Sequence, residues 1–209
     1  MTQFNIIAES QEYTVVSEYD HVATPAENYQ SEADLEKEFI RLLGEQGYEY
    51  LPIHTEADLI RNLRSQLEKL NSYHFTDSEW ERFFGECIAN KNDDIVAKTQ
   101  KIQDDYIQVL KRDTGESQNI KLLDKDNIHN NFVQVINQYV EEGGNYDTRY
   151  DVSILVNGLP LVHIELKRRG VQLKEAFNQI NRYQRDSFWA GCGLYEYVQI
   201  FVISNGTNT

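Results

Sequence analysis

The sequence predicts an α+β fold in which a central mixed β-sheet is flanked by helices. Apolar and β-branched residues mark strands at 150–156 and 161–167, joined by a turn at Asn157-Gly158. A helical segment at 173–185 then precedes a further strand-like segment at 197–204. The order strand, strand, helix, strand is typical of a sheet with helices packed on it.

Three helices are predicted before this region. Residues 31–43 carry apolar side chains at helical spacing behind Ser31, which is a suitable N-cap. A second helix is expected from Thr55 to about Leu70, and a third begins at Thr76. Residues 93–104 give a mixed pattern that predicts no single structure.

Shorter strand patterns fill the remaining segments. Residues 106–110 and 119–123 flank a turn and predict a hairpin, and 47–53 reads as a short strand. Residues 132–140 alternate as a strand does, although a helix is the alternative there. With no repeat or linker in view, residues 1–209 are expected to form one domain, with a helical insertion at about 55–104 and a core at about 130–206.

Composition excludes several classes of protein. Hydrophobic residues make up 40% of the 209 residues, with only 11 Gly and 3 Pro, so the chain is expected to be globular. No run of 18 apolar residues occurs, and the N-terminus lacks the basic start and apolar stretch of a signal peptide. A soluble cytoplasmic protein without a membrane partner is expected. Cys87 and Cys192 stand alone, which indicates reduced thiols and no zinc site.

The net charge of −14 is unusual for a protein that grips nucleic acid unaided, because such proteins normally carry a basic patch. Residues 151–190 differ from the rest of the chain, since their six basic side chains exceed their four acidic ones. The basic side chains are Lys167, Arg168, Arg169, Lys174, Arg182 and Arg185. We therefore expect any contact with DNA to lie in this segment, and most of the affinity for DNA to be supplied by something else.

The strand at 161–167 holds the candidate site. Alternation places Glu165 and Lys167 on one face and the aliphatic Val162, Ile164 and Leu166 on the other. Because an aliphatic face anchors the strand in a core, the charged face is expected to be rigid, as a functional site requires.

The hairpin register decides whether Asp151 joins this face. A two-residue loop would pair position 151 with 164, whereas a three-residue loop of residues 156–158 would pair it with 163. We predict the three-residue loop, with Gly158 in the left-handed conformation of a bulge, because the other register would bury the Asp151 carboxylate without a partner.

Two carboxylates and a lysine in this arrangement suit a hard cation such as Mg²⁺, which prefers oxygen ligands and completes its shell with water and phosphate. The chemistry indicated is metal-assisted hydrolysis of a phosphodiester.

The same residues resemble a known family, the PD-(D/E)xK nucleases, and within it the N-terminal nuclease domain of type I restriction enzyme R subunits. That domain has a restriction-endonuclease-like fold. The resemblance rests on Arg149-Tyr150-Asp151, Asn157-Gly158-Leu159-Pro160-Leu161, Ile164-Glu165-Leu166-Lys167, Gln179-Ile180-Asn181-Arg182-Tyr183 and Ile203-Ser204-Asn205-Gly206. The start of the chain, with Glu38 in its helix, is also similar, but residues 55–130 carry no motif that can be placed.

The resemblance implies roles for individual residues. Asp151 and Glu165 are implied to bind Mg²⁺, with the Leu166 carbonyl as a further ligand, and Lys167 to be the catalytic lysine. Gln179 and Tyr183 form a QxxxY motif, and with Arg182 on the same helix they are implied to support the site or the DNA. Glu38 is interpreted as part of the polar surface of an amphipathic helix. His163 is interpreted as a hydrogen-bonded bystander rather than as a ligand.

The resemblance also implies a setting. In that family the nuclease precedes an ATP-driven motor, acts on double-stranded DNA and works with modification and specificity subunits. No GxxxxGK[ST] phosphate loop occurs here, so the chain is expected to be the nuclease piece of a longer subunit whose motor uses the ATP. Two alternatives stay open: a helicase-associated repair exonuclease of the same superfamily, and a catalytically silent docking module.

Overall fold

The computed structural model describes residues 5–9, 15–18, 31–141, 148–169, 173–186, 193–207 and 209. The α-helices in this part of the chain are α1 (Glu32–Glu45), α2 (Glu56–Asn71), α3 (Asp77–Phe83), α4 (Ile95–Gln103) and α5 (Leu173–Asp186). The strands are β1 (Asn5–Glu9), β2 (Val15–Glu18), β3 (Glu49–Tyr50), β4 (Ile107–Lys111), β5 (Ser117–Lys121), β6 (Val133–Glu141), β7 (Thr148–Val156), β8 (Leu159–Leu166) and β9 (Ile200–Ser204).

A five-stranded sheet in the order β3-β6-β7-β8-β9 forms the centre of the molecule. Strands β6, β7 and β8 are antiparallel, while β3 and β9 pair in parallel with β6 and β8. The predicted mixed sheet with flanking helices is confirmed, and it is the restriction-endonuclease-like α+β arrangement. The predicted hairpin is β4-β5, which forms a sheet of its own, as does the unpredicted pair β1-β2.

The predicted helix starts are confirmed by their caps. The side chains of Ser31, Thr55 and Thr76 each accept a hydrogen bond from the backbone N–H three residues later, which satisfies a donor that the first turn leaves unpaired. At Thr76 the Glu79 side chain returns the bond and completes a capping box. Residues 95–103, where the pattern was mixed, form α4 behind an Asp94 cap. The expected strand at 47–53 is reduced to the two residues of β3.

The two faces of the central sheet are covered differently. On one face, α1 packs through Leu35, Phe39 and Leu43 against residues of β6, β7 and β8. On the other face, apolar side chains of α2, α3, α4 and the β4-β5 hairpin share one continuous core with the sheet. The helical insertion therefore supplies much of the core on this side of the sheet, together with the β4-β5 hairpin and residues 194–198. Among the described residues, none of the helices is both long enough and apolar enough to span a membrane.

The turn between β7 and β8 is held by buried contacts. Asn157 and Gly158 have φ angles of 51° and 86°, the left-handed values expected for an Asn-Gly turn. The Asn157 side chain is fully buried; it donates to the Leu122 carbonyl and accepts from the Phe132 N–H. A Cβ at Gly158 would lie 2.6 Å from the Leu63 Cα of α2, so glycine is required by space as well as by φ.

The predicted register of this hairpin is wrong. Val156 pairs with Leu159, which leaves a two-residue turn in place of the three-residue loop of residues 156–158. The register then shifts by one, because Leu161 has no partner on β7 and forms a bulge, and Val152 pairs with Ile164. This pairing, continued by one residue, puts Asp151 across from Glu165 rather than from His163. The bulge thus brings the two carboxylates together, as predicted, by another route.

Candidate active site

The candidate site lies where β7 begins and β8 ends. Asp151 Oδ2 accepts a hydrogen bond from the backbone N–H of Leu166 at 2.9 Å. Because Leu166 lies between Glu165 and Lys167, this bond ties Asp151 to the segment that carries the other two residues. The structure therefore brings together all three residues that the sequence singled out.

Glu165 is completely buried, and its charge has a partner. Lys167 Nζ donates to Glu165 Oε1 at 3.0 Å, and the Lys167 side chain is only 15% exposed. Alternation along β8 predicted that these two side chains share a face, and the contact confirms it. The aliphatic face is also as predicted, since Ile164 and Leu166 are buried against the α1 side of the sheet with Val162 packed beside them.

Burial and neighbouring charge shift two pKa values in this site. Burial raises the pKa of Asp151 to about 7, and the negative charge of Glu165 adds to the rise, against the opposing effects of the Leu166 N–H and Lys167. For Lys167, burial alone would lower the pKa, but the charge of Glu165 and its hydrogen bond outweigh burial and raise it. The site thus disfavours a negative charge on Asp151, whereas Lys167 stays protonated.

A third carboxylate approaches from α1, and the sequence did not single it out. Glu36 accepts hydrogen bonds from the side-chain amides of Asn137 and Gln138, and its charge also raises the pKa of Asp151. Glu38 instead pairs with Arg41 at 2.7 Å on the exposed side of α1, as expected for an amphipathic helix. No local signal in the sequence singles out Glu36, because α1 carries several acidic residues and only its packing on the sheet brings this one towards Asp151.

The donor set fits a hard cation. Glu165 Oε2 is buried and, within the described part of the chain, receives no hydrogen bond. Burial and, after it, the charge of Glu165 raise the pKa of Asp151, so a positive charge beside both carboxylates would favour the ionised form of Asp151. No three His, Cys, Asp or Glu side chains among the described residues are grouped tightly enough to enclose an ion. Two carboxylates alone would leave most of the shell to water and phosphate, which is the preference of Mg²⁺.

The predicted supporting residues lie on α5, which contacts β8 and β9. Ala176 and Ile180 are buried on its inner side, Gln179 is partly buried and Arg182 is exposed. The helix confirms that Gln179 and Tyr183 are one turn apart. The side chain of Tyr183 lies outside the described residues, as does Cys192.

Exposed basic residues follow directly after Lys167. Arg168 and Arg169 are both exposed at the end of β8, and Lys174 is exposed at the start of α5. The Arg168 N–H donates to Glu32 of α1, and Arg169 donates to the Gly206 carbonyl, so this strand end is held on both sides. Exposed basic side chains therefore follow directly after Lys167 in the chain, within the segment 151–190 that the charge distribution of the sequence singled out.

The fold places the chain among proteins with a restriction-endonuclease-like core, and Asp151, Glu165 and Lys167 form its candidate site. A family model described as type I restriction enzyme R protein N terminus matches residues 29–209. The chain belongs to this family.

Individual relatives carry matching descriptions. The type I restriction enzyme EcoprrI endonuclease subunit of Escherichia coli is 50% identical over 204 residues, which cover 97% of this chain and 65% of that subunit. The SsaAORF53P endonuclease subunit of Staphylococcus saprophyticus is 41% identical over 186 residues, covering 87% of this chain and 19% of that subunit. The HindI endonuclease subunit of Haemophilus influenzae is 29% identical over 199 residues, 84% of this chain and 18% of that subunit. The chain thus spans less than two thirds of the length of these relatives.

Proposed function

We propose that this chain is a Mg²⁺-dependent endonuclease domain that hydrolyses phosphodiester bonds of double-stranded DNA, and that it acts within an ATP-dependent type I restriction-modification complex. The observation that carries the proposal is the convergence of Asp151, Glu165 and Lys167 at adjoining ends of β7 and β8. Membership of the R protein family and the names of the relatives, which are endonuclease subunits of type I restriction enzymes, support it.

Asp151 and Glu165 would hold the magnesium ion, since they supply the carboxylate oxygens of the site, partly buried in Asp151 and fully buried in Glu165. When bound, such an ion polarises a phosphate and makes a neighbouring water more acidic. Lys167 keeps its proton, because its pKa is raised, and its hydrogen bond to Glu165 fixes the position of its ammonium group. A fixed ammonium can offset the negative charge that grows on phosphate oxygens during hydrolysis.

Only a small part of the chain carries exposed positive charge that could contact the phosphate backbone of DNA. Arg168, Arg169, Lys174 and Arg182 are exposed basic residues that follow Lys167 in the chain, whereas the whole chain carries a net charge of −14. Because affinity for DNA depends mainly on neutralising phosphates, this chain would contribute little of the binding affinity. We infer that DNA is delivered by the motor portion of a longer subunit and by modification and specificity subunits.

The test uses a carboxylate variant with a matched control. Glu165→Gln removes the charge of the buried ligand, and Glu116→Gln removes an exposed charge on the β4-β5 hairpin that pairs with Arg112. Mg²⁺ and Mn²⁺ binding is measured by calorimetry, and nicking of supercoiled plasmid is measured in the assembled complex. Glu165→Gln is expected to reduce cleavage by about a hundredfold or more and to weaken metal binding, while Glu116→Gln behaves as the wild type.

The same assay separates the alternatives. A repair exonuclease would degrade linear DNA from its ends and leave covalently closed plasmid intact. A silent docking module would assemble with its partner subunits but bind no metal, and Glu165→Gln would change nothing. Either result would overturn the proposal.

A further inference from the structure

His163 is a buried neighbour of the proposed metal ligand Glu165. Both side chains are completely buried, and His163 Nε2 lies 3.5 Å from Glu165 Oε2. They share a face of β8 because they are two residues apart along the strand. The sequence alone favoured a hydrogen-bonded bystander over a metal ligand at this position.

Aromatic side chains hold the imidazole ring in place. The ring centroids of Tyr150, Phe201 and Tyr195 lie 5.1, 6.3 and 6.5 Å from that of His163, and all three rings are turned steeply to it. Ser153, the residue opposite His163 on β7, hydrogen-bonds the Tyr195 hydroxyl at 3.0 Å and so fixes one of these rings. A ring packed in this way has little freedom to turn Nε2 away from Glu165.

The Glu165 carboxylate is thereby contacted at both of its oxygens. Lys167 donates a hydrogen bond to Oε1 at 3.0 Å, and His163 Nε2 lies 3.5 Å from Oε2, which is within ion-pair distance but is not a hydrogen bond. Because a buried carboxylate that contacts only one partner can turn about its terminal bond, a second contact defines the plane of the group. In metal sites, such partners of the ligands orient them and strengthen binding.

Ligand chemistry indicates that His163 acts on Glu165 and not on the ion itself. A magnesium ion prefers oxygen ligands and keeps several waters, whereas imidazole nitrogen suits transition metals. Asp151, Glu165 and His163 are described residues, and they do not form a three-ligand group.

We propose that His163 is a positioning residue that fixes the orientation of the Glu165 carboxylate for the metal ion. This proposal rests on the proposed function, since it assumes that Glu165 binds the metal. It predicts that metal affinity depends on the polar nitrogen of residue 163, rather than on the bulk of its ring.

The test compares His163→Phe, which keeps an aromatic ring among Tyr150, Tyr195 and Phe201, with His163→Gln, which keeps a side-chain N–H. Mg²⁺ and Mn²⁺ affinities of the intact chain are measured by calorimetry, and its melting temperature is measured without metal. We expect His163→Phe to lose about tenfold or more in affinity for both ions alike, and His163→Gln to stay within about threefold of the wild type. A metal-free crystal structure of His163→Phe should show a reoriented Glu165 side chain.

Several results would overturn this assignment. They are wild-type affinity in a folded His163→Phe protein, an equal loss in both variants, and a loss for Mn²⁺ much greater than for Mg²⁺, which would make His163 a direct ligand. Failure of the proposed function looks different, because the wild-type protein would then bind neither ion. In that case the metal-free crystal structure of His163→Phe tests the positioning role by itself. A Glu165 side chain in its wild-type orientation would show that His163 does not position it.

Discussion

Asp151 on β7 and Leu166 on β8 are joined by a side-chain to backbone hydrogen bond of 2.9 Å. This bond fixes one proposed metal ligand against the peptide that separates the other two site residues. The relative positions of Asp151, Glu165 and Lys167 therefore depend on the hairpin backbone and not only on the rotamers of long side chains. Each of the following predictions alters one part of this arrangement or of the structure that supports it.

Asp151→Asn is expected to stabilise the metal-free protein at high pH. The pKa of Asp151 is about 7 in the folded protein against an ordinary value of 3.8, so folding favours the protonated form. The stability contributed by that proton is complete below the unfolded pKa and is lost as the pH rises through about 7. The asparagine variant loses nothing in this range, because its side chain does not titrate.

The measurement is the difference in melting temperature between variant and wild type from pH 4.5 to 8.5 in the presence of a chelator. We expect the difference to grow towards pH 7 and then to stay at about 3 °C or more, the shift that about 1 kcal/mol produces in a domain of this size. Excess Mg²⁺ should raise the melting temperature of the wild type but not of the variant. A difference that does not change with pH would show that the Asp151 pKa is not raised.

Lys167→Gln is expected to separate metal binding from cleavage. The substitution removes a positive charge beside Glu165, so the affinity for Mg²⁺ should be unchanged or higher. Plasmid nicking should fall by about a hundredfold or more, because the charge that would face the phosphate is gone. Calorimetry and nicking are measured on the same preparation. If metal affinity falls together with activity, Lys167 serves chiefly to hold Glu165 in place.

Gly158→Ala is expected to destabilise the fold by about 2–4 kcal/mol, since it combines a strained left-handed φ with a clash against the Leu63 backbone of α2. The matched control is Gly115→Ala, at a φ of 88° with no atom within 4 Å of the new Cβ. It should cost only about 1 kcal/mol. Denaturant unfolding measures both, and equal losses would show that α2 can move away from the turn.

Lys98→Met is expected to destabilise the protein without changing metal affinity. Lys98 of α4 is 3% exposed, forms an ion pair with Glu196 and donates to the Gly193 carbonyl at 2.9 Å. Its removal leaves a partly buried carboxylate unpaired, at a cost of about 3–5 kcal/mol. The double variant Lys98→Met/Glu196→Gln should recover part of this loss. Additive losses in the double variant would mean that the pair contributes no coupling energy.

Much of the fold was predictable because its signals are local. Caps such as Thr76 with Glu79, the Asn157-Gly158 turn and the alternation along β8 each depend on a few adjacent residues. The role of the insertion was not predictable, because which surface α2 covers depends on contacts far apart in sequence, such as Gly158 against Leu63.

The candidate site was predictable in its members but not in its construction. Residue types and spacing identified Asp151, Glu165 and Lys167, and the structure brings them together. The bulge at Leu161 leaves no mark in the sequence, since it requires no special residue there, so the predicted loop length was wrong. Glu36 was missed because its approach to Asp151 depends on how α1 packs on the sheet.

The bulge at Leu161 also determines whether residues an odd or an even number of positions apart lie opposite each other on β7 and β8. Asp151 and Glu165 are 14 positions apart, an even number, and a regular hairpin with a two-residue turn brings only residues an odd number of positions apart into register. A related chain with the same spacing and the same two-residue turn must therefore carry an extra residue on one of these two strands. A single-residue gap between these acids in an alignment thus marks either a turn of another length or the gain or loss of a bulge, and in both cases a different hairpin backbone.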